Sequence, residues 1–282
     1  MDKPMMIATS LDELHAARLL LDGTVGFVPT MGYLHEGHIS LARRAKEECD
    51  SVVASIFVNP TQFGASEDLS KYPRDLKRDL TLLEAAGVDL VWTPDNEVMY
   101  PPNFATWVEV EGLTKPLEGA ARPGHFRGVT TIVAKLFNAV QPQKAYFGQK
   151  DAQQAAVIRQ MTRDLNFPIE IVVCPIIREA DGLAMSSRNT YLSPDERQAA
   201  TILFRTLTAA KSAYESGVRK AETLRNIMAS VLATESRAQV QYVSVADYDT
   251  LEELHTVTGK TLLSMAVFMG KTRLIDNFVL GG

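Results

Sequence analysis

The sequence has little of several features that would place a protein in a class at once. Its 282 residues include only two cysteines, Cys49 and Cys174, too few for a disulfide framework or a cysteine metal site. The N-terminal stretch MDKPMMIATS lacks the apolar core of a signal peptide. Apolar runs such as IVVCPII are too short to span a bilayer. We therefore expect a cytoplasmic protein in a reducing compartment, without a membrane partner.

Positive charge is also scarce. The 29 lysines and arginines are outnumbered by 34 aspartates and glutamates, which gives a formal net charge of −5. Nucleic acids and anionic membranes are usually held by basic surfaces, so the balance argues against both as partners. It still allows a local cationic pocket for a small anion. The hydrophobic content of 46% is that of an ordinary globular protein.

The first part of the chain alternates apolar runs with helical patterns. Because the runs are apolar throughout, they indicate a parallel sheet that is covered on both faces. We therefore expect an α/β fold, a Rossmann-like doubly wound parallel sheet, over residues 1–176. The predicted strands are 24–30, 52–58, 88–94, 144–148 and 169–177, with helices over 40–49, 75–87, 130–141 and 151–165.

The pattern of predicted helices and strands changes after this region. Ser193, Pro194 and Glu196 match a helix start, with a Ser N-cap, Pro at N1 and Glu at N3. We expect a smaller α+β C-terminal domain over residues 177–282 that acts as a lid. Its predicted helices are 194–216 and 220–234, and its predicted antiparallel strands are 239–244, 261–269 and 272–280.

Common nucleotide-binding motifs are missing. No G-x-G-x-x-G follows a predicted strand. The tripeptide GKT occurs at 259–261 and 270–272, but Leu254 and Met265 stand where a P-loop requires its first glycine. Both tripeptides are therefore predicted to be hairpin turns.

Two of the five histidines, His35 and His38, lie in one predicted strand-to-helix turn, FVPTMGYLHEGH. The residues allow three interpretations: a zinc site, a structural pair, or a phosphate site. The zinc pattern H-E-x-x-H would need one more residue. We expect the strand to end at Thr30 and the helix to begin near Ile39. Such a turn lies at the carboxyl edge of the sheet, where free N–H groups favour an anion.

Six segments together resemble a known family. VPTMGYLHEGH, SIFVNPTQF, YPRDL, LEGAARPGHFRGVTTIVAKLFN, YFGQKDAQQ and AMSSRNTYL occur in the order and at the spacing of the pantothenate synthetase family. This family belongs to the H-x-G-H nucleotidylyltransferase superfamily. The resemblance covers essentially the whole chain. It implies ATP-dependent condensation of (R)-pantoate with β-alanine through a pantoyl adenylate, with release of AMP and pyrophosphate.

The resemblance also implies Mg²⁺ as cofactor, a homodimer, and roles for individual residues. His38 would be the catalytic proton donor, which we interpret as a donor to charge that builds on the phosphates. The ATP-binding residues would be Met31, Gly32, Tyr33, Leu34, His35, Glu36, Gly37, His38, Gly148, Gln149, Lys150, Asp151, Ile177, Met185, Ser186, Ser187 and Arg188.

The resemblance places pantoate at Gln62 and Gln154, with Gln62 also binding β-alanine. Tyr72 is a weaker candidate for orienting the phosphate or β-alanine. Arg122, His125 and Arg127 are interpreted as structural or dimer-related residues, and no protein ligands for Mg²⁺ are evident. Two other functions stay open: a nucleotidylyltransferase that moves AMP onto a phosphate ester, and a catalytically silent nucleotide-binding module.

Overall fold

A computed structural model of the chain describes residues 4–64 and 69–281, which form two compact units. The first unit comprises Met1–Thr114, Arg122–Gly148 and Gln154–Pro175. The second comprises Lys115–Ala121, Gln149–Gln153 and Ile176–Gly282. Two short segments that precede residue 154 thus belong to the same unit as the C-terminal residues.

The first unit contains a six-stranded parallel sheet in the order β1-β4-β3-β2-β5-β6, which confirms the predicted fold class. Its strands are β1 (Met6–Ala8), β2 (Val25–Thr30), β3 (Ser51–Ile56), β4 (Leu90–Trp92), β5 (Lys144–Gly148) and β6 (Glu170–Cys174). The helices up to this point of the chain are α1 (Leu11–Arg18), α2 (Glu36–Glu48), α3 (Leu76–Ala85), α4 (Asn96–Met99), α5 (Glu118–Ala121), α6 (His125–Val140) and α7 (Ala152–Asp164). Of these, α5 belongs to the second unit.

Side chains of the central strands pack in two directions, because successive residues of a strand point to opposite faces. Phe27 lies in a buried cluster with α6 residues such as Phe137. Its neighbour Val28 lies in a second cluster with Ile39 of α2 and Leu83 of α3. Both faces of the sheet are therefore covered by helices, as the uninterrupted apolar runs predict.

The order of the strands creates a switch point between β2 and β5. These two strands are neighbours, but β2 connects onward to β3 on one side and β5 connects to β6 on the other. Ligands of open α/β sheets bind in the crevice at the carboxyl ends of such strands. The turn that follows Thr30 therefore begins at this position.

The second unit contains a three-stranded antiparallel sheet, as predicted. The cap predicted for the helix that begins at Pro194 is also present, because Ser193 and Glu196 each accept a hydrogen bond from the other's backbone N–H. Its remaining elements are α8 (Pro194–Ala199), α9 (Ile202–Glu215), α10 (Ala221–Leu232), β7 (Ala238–Asp247), β8 (Thr261–Met269) and β9 (Thr272–Leu280).

Several predicted boundaries are wrong. β1 and α1 were not predicted, and the helix predicted from residue 130 begins at His125. The predicted helix 194–216 is α8 followed by α9, although Ala200 and Thr201 keep right-handed helical dihedrals and the chain path stays helical. One GKT, at 270–272, is the hairpin turn between β8 and β9, whereas the other lies in the loop that enters β8. No helix among the described residues is long and apolar enough to cross a membrane.

Candidate active site

The turn after β2 is held by a buried carboxylate. Asp79 of α3 is 1% exposed, and its two oxygens accept the backbone N–H groups of Tyr33 at 2.6 Å and Leu34 at 2.8 Å. Burial raises the pKa of Asp79 above its ordinary value, while these two hydrogen bonds act in the opposite direction. Gly32 adopts a φ of 84° beside Asp79, and an added Cβ would lie 3.1 Å from Asp79 Oδ2. The turn therefore requires glycine at this position.

Asp79 was not recognised in the sequence. The available signal was its helical spacing, because Asp79 stands four residues before Leu83, which is buried in the core. A carboxylate on the buried side of a helix needs partners, and backbone N–H groups of a distant turn supply them here.

His35 and His38 cap the start of α2 reciprocally. His35 is the N-cap residue, and its Nδ1 accepts the N–H of Gly37 at 3.1 Å. His38 occupies position N3, and its Nδ1 accepts the N–H of His35 at 3.3 Å. The two rings lie with their centroids 4.1 Å apart. The prediction that the helix begins near Ile39 is wrong by three residues, because these rings replace the usual Ser and Glu of a capping box.

This arrangement determines which ring nitrogens can donate. A nitrogen that accepts a hydrogen bond carries no proton, so each neutral ring has its proton on Nε2. The histidines therefore have a structural function through Nδ1, and the proton of each neutral ring lies on Nε2. The structural and phosphate-binding interpretations are compatible with each other.

Gln62 lies next to this turn, at the end of a short 3-10 helix (Pro60–Gln62). Its Nε2 is 3.0 Å from the sulfur of Met31, and its Oε1 accepts Asn59 Nδ2 at 3.0 Å. Asn59 is 1% exposed, and its Oδ1 accepts the hydroxyl of Tyr100 at 2.7 Å. The fold thus brings the predicted pantoate residue Gln62 and the predicted ATP residue Met31 together.

The backbone carbonyl of Gln62 is held from α6. His125 Nδ1 lies 2.8 Å from this oxygen, and Arg122 Nη1 lies 3.1 Å from His125 Nε2. A guanidinium can only donate, so Nε2 accepts and the Nδ1–H donates to Gln62. Arg127 stacks on Trp107, with its guanidinium carbon 4.5 Å from the ring centroid. Arg122 and His125 therefore support the Gln62 turn, and Arg127 makes a different contact.

Two other predicted residues lie in the first unit at separate positions. Gln154 is in the first turn of α7, which follows β5 and so begins near the carboxyl edge of the sheet. Tyr72 packs its ring edge against Phe63, with centroids 5.8 Å apart.

The second unit contains the turn that follows Gly148. Gln149, Lys150 and Asp151 form a 3-10 turn, and Lys150 Nζ lies 3.8 Å from Asp151 Oδ2. Asn277 of β9 binds the backbone of this turn. Asp151 is thus close enough to orient the lysine.

The segment 185–188 also lies in the second unit. Met185 N–H donates to the carbonyl of Ile177 at 3.0 Å. Ser186 caps the 3-10 helix Ser187–Tyr191, and its hydroxyl accepts the N–H of Arg188 at 3.2 Å. The predicted ATP-binding residue Ile177 and the predicted ATP-binding segment 185–188 are therefore directly linked.

Metal-binding capacity is small in the part of the chain that the structure describes. Within residues 4–64 and 69–281, no group of three or more His, Cys, Asp or Glu residues could hold a metal ion. The described residues around His35 and His38 therefore do not form a zinc cage.

Comparisons with known proteins agree over nearly the whole chain. The family model described as pantoate-beta-alanine ligase matches residues 6–279. A pantothenate synthetase of Roseiflexus sp. (strain RS-1) is 62% identical over 276 residues, 98% of this chain and 99% of that relative.

Solved structures of such proteins have the same fold. The crystal structure of pantothenate synthetase from Thermus thermophilus has 48% identity and a TM-score of 0.95, covering 99% of this chain and 100% of its own. A pantoate-beta-alanine ligase from Francisella tularensis, crystallised with "Beta-gamma ATP" and beta-alanine, has 36% identity and a TM-score of 0.80. That alignment covers 98% of this chain and 97% of the Francisella chain.

Proposed function

The chain belongs to the pantoate–β-alanine ligase family, and from this membership we propose that it condenses (R)-pantoate with β-alanine at the expense of ATP. The pantoate carboxylate attacks the α-phosphorus, and the bond to the β-phosphate breaks with release of pyrophosphate. The β-alanine amine then attacks the acyl carbon of pantoyl adenylate, loses a proton, and displaces AMP. The reciprocal histidine cap at the β2–α2 turn is the observation that supports this function most strongly.

The cap supports the first step because it fixes the direction of two donors. With both Nδ1 atoms engaged in the backbone of α2, the Nε2–H groups cannot rotate away without breaking the helix start. Preorganised donors stabilise charge as it develops, without a cost for reorienting them. We assign charge stabilisation during adenylation to His38, and contact with the triphosphate to His35.

The other roles are proposals on the same basis. Residues 31–38, 148–151, Ile177 and 185–188 bind ATP, with Lys150 and Arg188 neutralising phosphate charge. Gln62 and Gln154 bind pantoate, and Gln62 also contacts β-alanine. A neutral amide can hydrogen-bond a carboxylate without lowering its nucleophilicity as a tight cation would. Bound together with ATP, Mg²⁺ would shield the phosphate oxygens.

A product assay tests the function. Purified protein receives ATP, Mg²⁺ and pantoate, with and without β-alanine, and AMP, pyrophosphate and pantothenate are quantified. We expect one AMP per pantothenate, and AMP release that requires both substrates. A nucleotidylyltransferase would instead release pyrophosphate and keep AMP in its product. AMP formation that ignores pantoate would overturn the ligase proposal.

A pair of variants tests the role of His38. Glutamine at position N3 can cap a helix but has no imidazole Nε2–H. Alanine has no imidazole either, and it cannot cap the helix. We expect His38→Gln to keep the thermal stability of the wild type and to lose most of its pyrophosphate release, and His38→Ala to lose both. Normal pantoyl adenylate formation by folded His38→Gln would show that the imidazole Nε2–H in particular is not required.

Three broader expectations are also proposals. Leu19 and Leu20 expose 86% and 63% of their surface, which supports a homodimer that sedimentation can test. Cys49 and Cys174 are buried free thiols, which supports a reducing, cytoplasmic location. The lid function of residues 177–282 stays a prediction, and protease protection of residues 185–189 by ATP would test it.

A further inference from the structure

The side-chain amide of Asn277 is almost completely used in binding one turn. Asn277 is 3% exposed, and its Nδ2 donates to the carbonyl oxygens of Gln149 and Lys150, each at 3.0 Å. Its Oδ1 accepts Gln149 Nε2, also at 3.0 Å. Both N–H groups and one oxygen lone pair are therefore engaged with the segment that carries Lys150.

Asparagine is the residue type that this geometry requires. Two backbone carbonyls need two donors from one short side chain, and a carboxylate in the same place would face both of them with acceptors only. An apolar residue would leave two carbonyl groups without their partner. The position is therefore specified by the backbone of the 149–150 turn.

The preceding residue of β9 holds a second segment. Asp276 is 2% exposed and binds Arg178 through two hydrogen bonds of 2.7 and 2.9 Å. Arg178 directly follows Ile177 and also donates to the carbonyl of Gly182 at 2.9 Å. It bridges to Ala184, the residue before the 185–188 loop. Adjacent residues of one strand thus hold the bases of both segments.

We propose that Asn277 and Asp276 are positioning residues that fix the two ATP-binding segments of the second unit, 149–151 and 177–188, on strand β9. This inference rests on the proposed function only in that these segments bind ATP. Asn277 sets the backbone from which Lys150 extends, and Asp276 sets the backbone between Ile177 and the 185–188 loop. Neither side chain needs to touch a substrate. Loss of either therefore impairs ATP binding and leaves the pantoate residues of the first unit intact.

The principal test is Asn277→Asp, which keeps the size of the side chain and removes both donors. Calorimetric titration with ATP and Mg²⁺ gives the Kd, and steady-state assays give the KM for each substrate. We expect the Kd and KM for ATP to rise at least about tenfold, because a displaced Lys150 loses a hydrogen bond to a charged phosphate, which corresponds to about tenfold or more in affinity. The KM for pantoate should stay within about twofold. Asp276→Asn, which removes the charge opposite Arg178, should show the same selectivity.

Ser264→Ala is the matched control. Ser264 lies opposite Asn277 in the β8–β9 register, is 6% exposed, and its hydroxyl has no hydrogen-bond partner among the described residues. The Ser264→Ala substitution changes the same place in the sheet without touching either segment. Its Kd and KM for ATP should therefore equal those of the wild type.

Three outcomes separate the hypotheses. The positioning role is wrong if folded Asn277→Asp and Asp276→Asn keep the wild-type Kd for ATP. It is also wrong if the KM for ATP and the KM for pantoate rise by the same factor. If Asn277→Asp does not fold, Asp276→Asn decides alone. If the wild type binds ATP but forms no pantothenate, the proposed function fails, while the Kd comparison still decides the positioning role. A wild type that does not bind ATP would overturn both.

Discussion

Gly128 of α6 permits an unusually close approach of two backbone segments. A Cβ at this position would lie 2.4 Å from the carbonyl oxygen of Thr61 and 2.8 Å from the nitrogen of Gln62. Gly128 also accepts a hydrogen bond from Asn59 Nδ2 at 3.2 Å. The turn that carries Gln62 therefore rests directly on the backbone of α6. We predict that Gly128→Ala displaces this turn and impairs the use of pantoate.

The magnitude follows from two opposing effects. Ordinary van der Waals contact begins at 3.4 Å, so the turn must retreat by about 1 Å from a Cβ at 2.4 Å. Overpacking costs ~1–3 kcal/mol, while alanine is favoured over glycine inside a helix by ~1 kcal/mol. The free energy of unfolding should therefore fall by only about 0–2 kcal/mol. Activity should fall much more, since a misplacement of ~1 Å can cost ~10²-fold in rate.

The assay measures kcat/KM for pantoate at saturating ATP and β-alanine, together with urea unfolding. Gly64→Ala is the control, because Gly64 belongs to the same region and an added Cβ there meets no atom of the described residues within 4 Å. We expect a loss of about 10²-fold for Gly128→Ala and less than about twofold for Gly64→Ala. A folded Gly128→Ala protein that retains kcat/KM within about threefold of the wild type would refute the argument that this contact positions Gln62.

Three further predictions concern groups with defined partners. Asp79→Asn replaces one acceptor of the β2–α2 turn by a donor, so it should lower kcat at least about tenfold and destabilise the fold by ~1–3 kcal/mol, measured by turnover and urea unfolding; unchanged turnover would contradict this. His125→Asn keeps a donor near the Nδ1 position and should hold the KM for pantoate within about threefold, whereas His125→Leu removes the 2.8 Å hydrogen bond to the Gln62 carbonyl, leaves it only the longer contact of 3.4 Å with Arg122 Nη2, and should raise this KM at least about tenfold; equal KM values for the two variants would contradict the role of His125. The hydrogen bond from Tyr146, more than those from its other partners, lowers the pKa of Glu48 below its ordinary value of 4.5. The stability that Glu48 contributes is thus present above this value and is lost as pH falls through the folded-state pKa. Urea unfolding between about pH 3 and pH 6 should show a steeper loss of stability for the wild type than for Glu48→Gln, and parallel curves would contradict it.

The parts of the fold that the sequence predicts are those encoded by neighbouring residues. Val25, Phe27 and Val28 are apolar because both faces of β2 are buried, and that pattern is visible without a structure. The short edge strand β1 was missed because its three residues, Met6–Ala8, give too little pattern to distinguish them from a loop. The start of α2 was misplaced because histidine is not among the residues that usually cap a helix.

The residues that hold the turns of the candidate site could not be predicted from the sequence, for a different reason. Asp79 accepts the backbone N–H of Tyr33 across 46 positions of the chain, and Asn277 donates to the backbone carbonyl of Gln149 across 128. Each pairs a side chain with the backbone of a distant turn, and a backbone group is the same whatever residue carries it. No local spacing can therefore indicate the partner. The sequence shows which residues present chemistry, and the structure shows which residues hold them.

The histidine pair shows why this distinction matters for experiments. A loss of activity on replacing His35 or His38 by alanine would be expected from either role, because each ring both caps α2 and presents an Nε2–H. The two roles are coupled by the ring itself: engaging Nδ1 fixes the plane of the imidazole and hence the direction in which Nε2 donates. Only replacements that preserve the cap and remove the donor can isolate the chemical role. The glycine between the rings, Gly37, contributes to the same arrangement, since its N–H is the donor that His35 Nδ1 accepts.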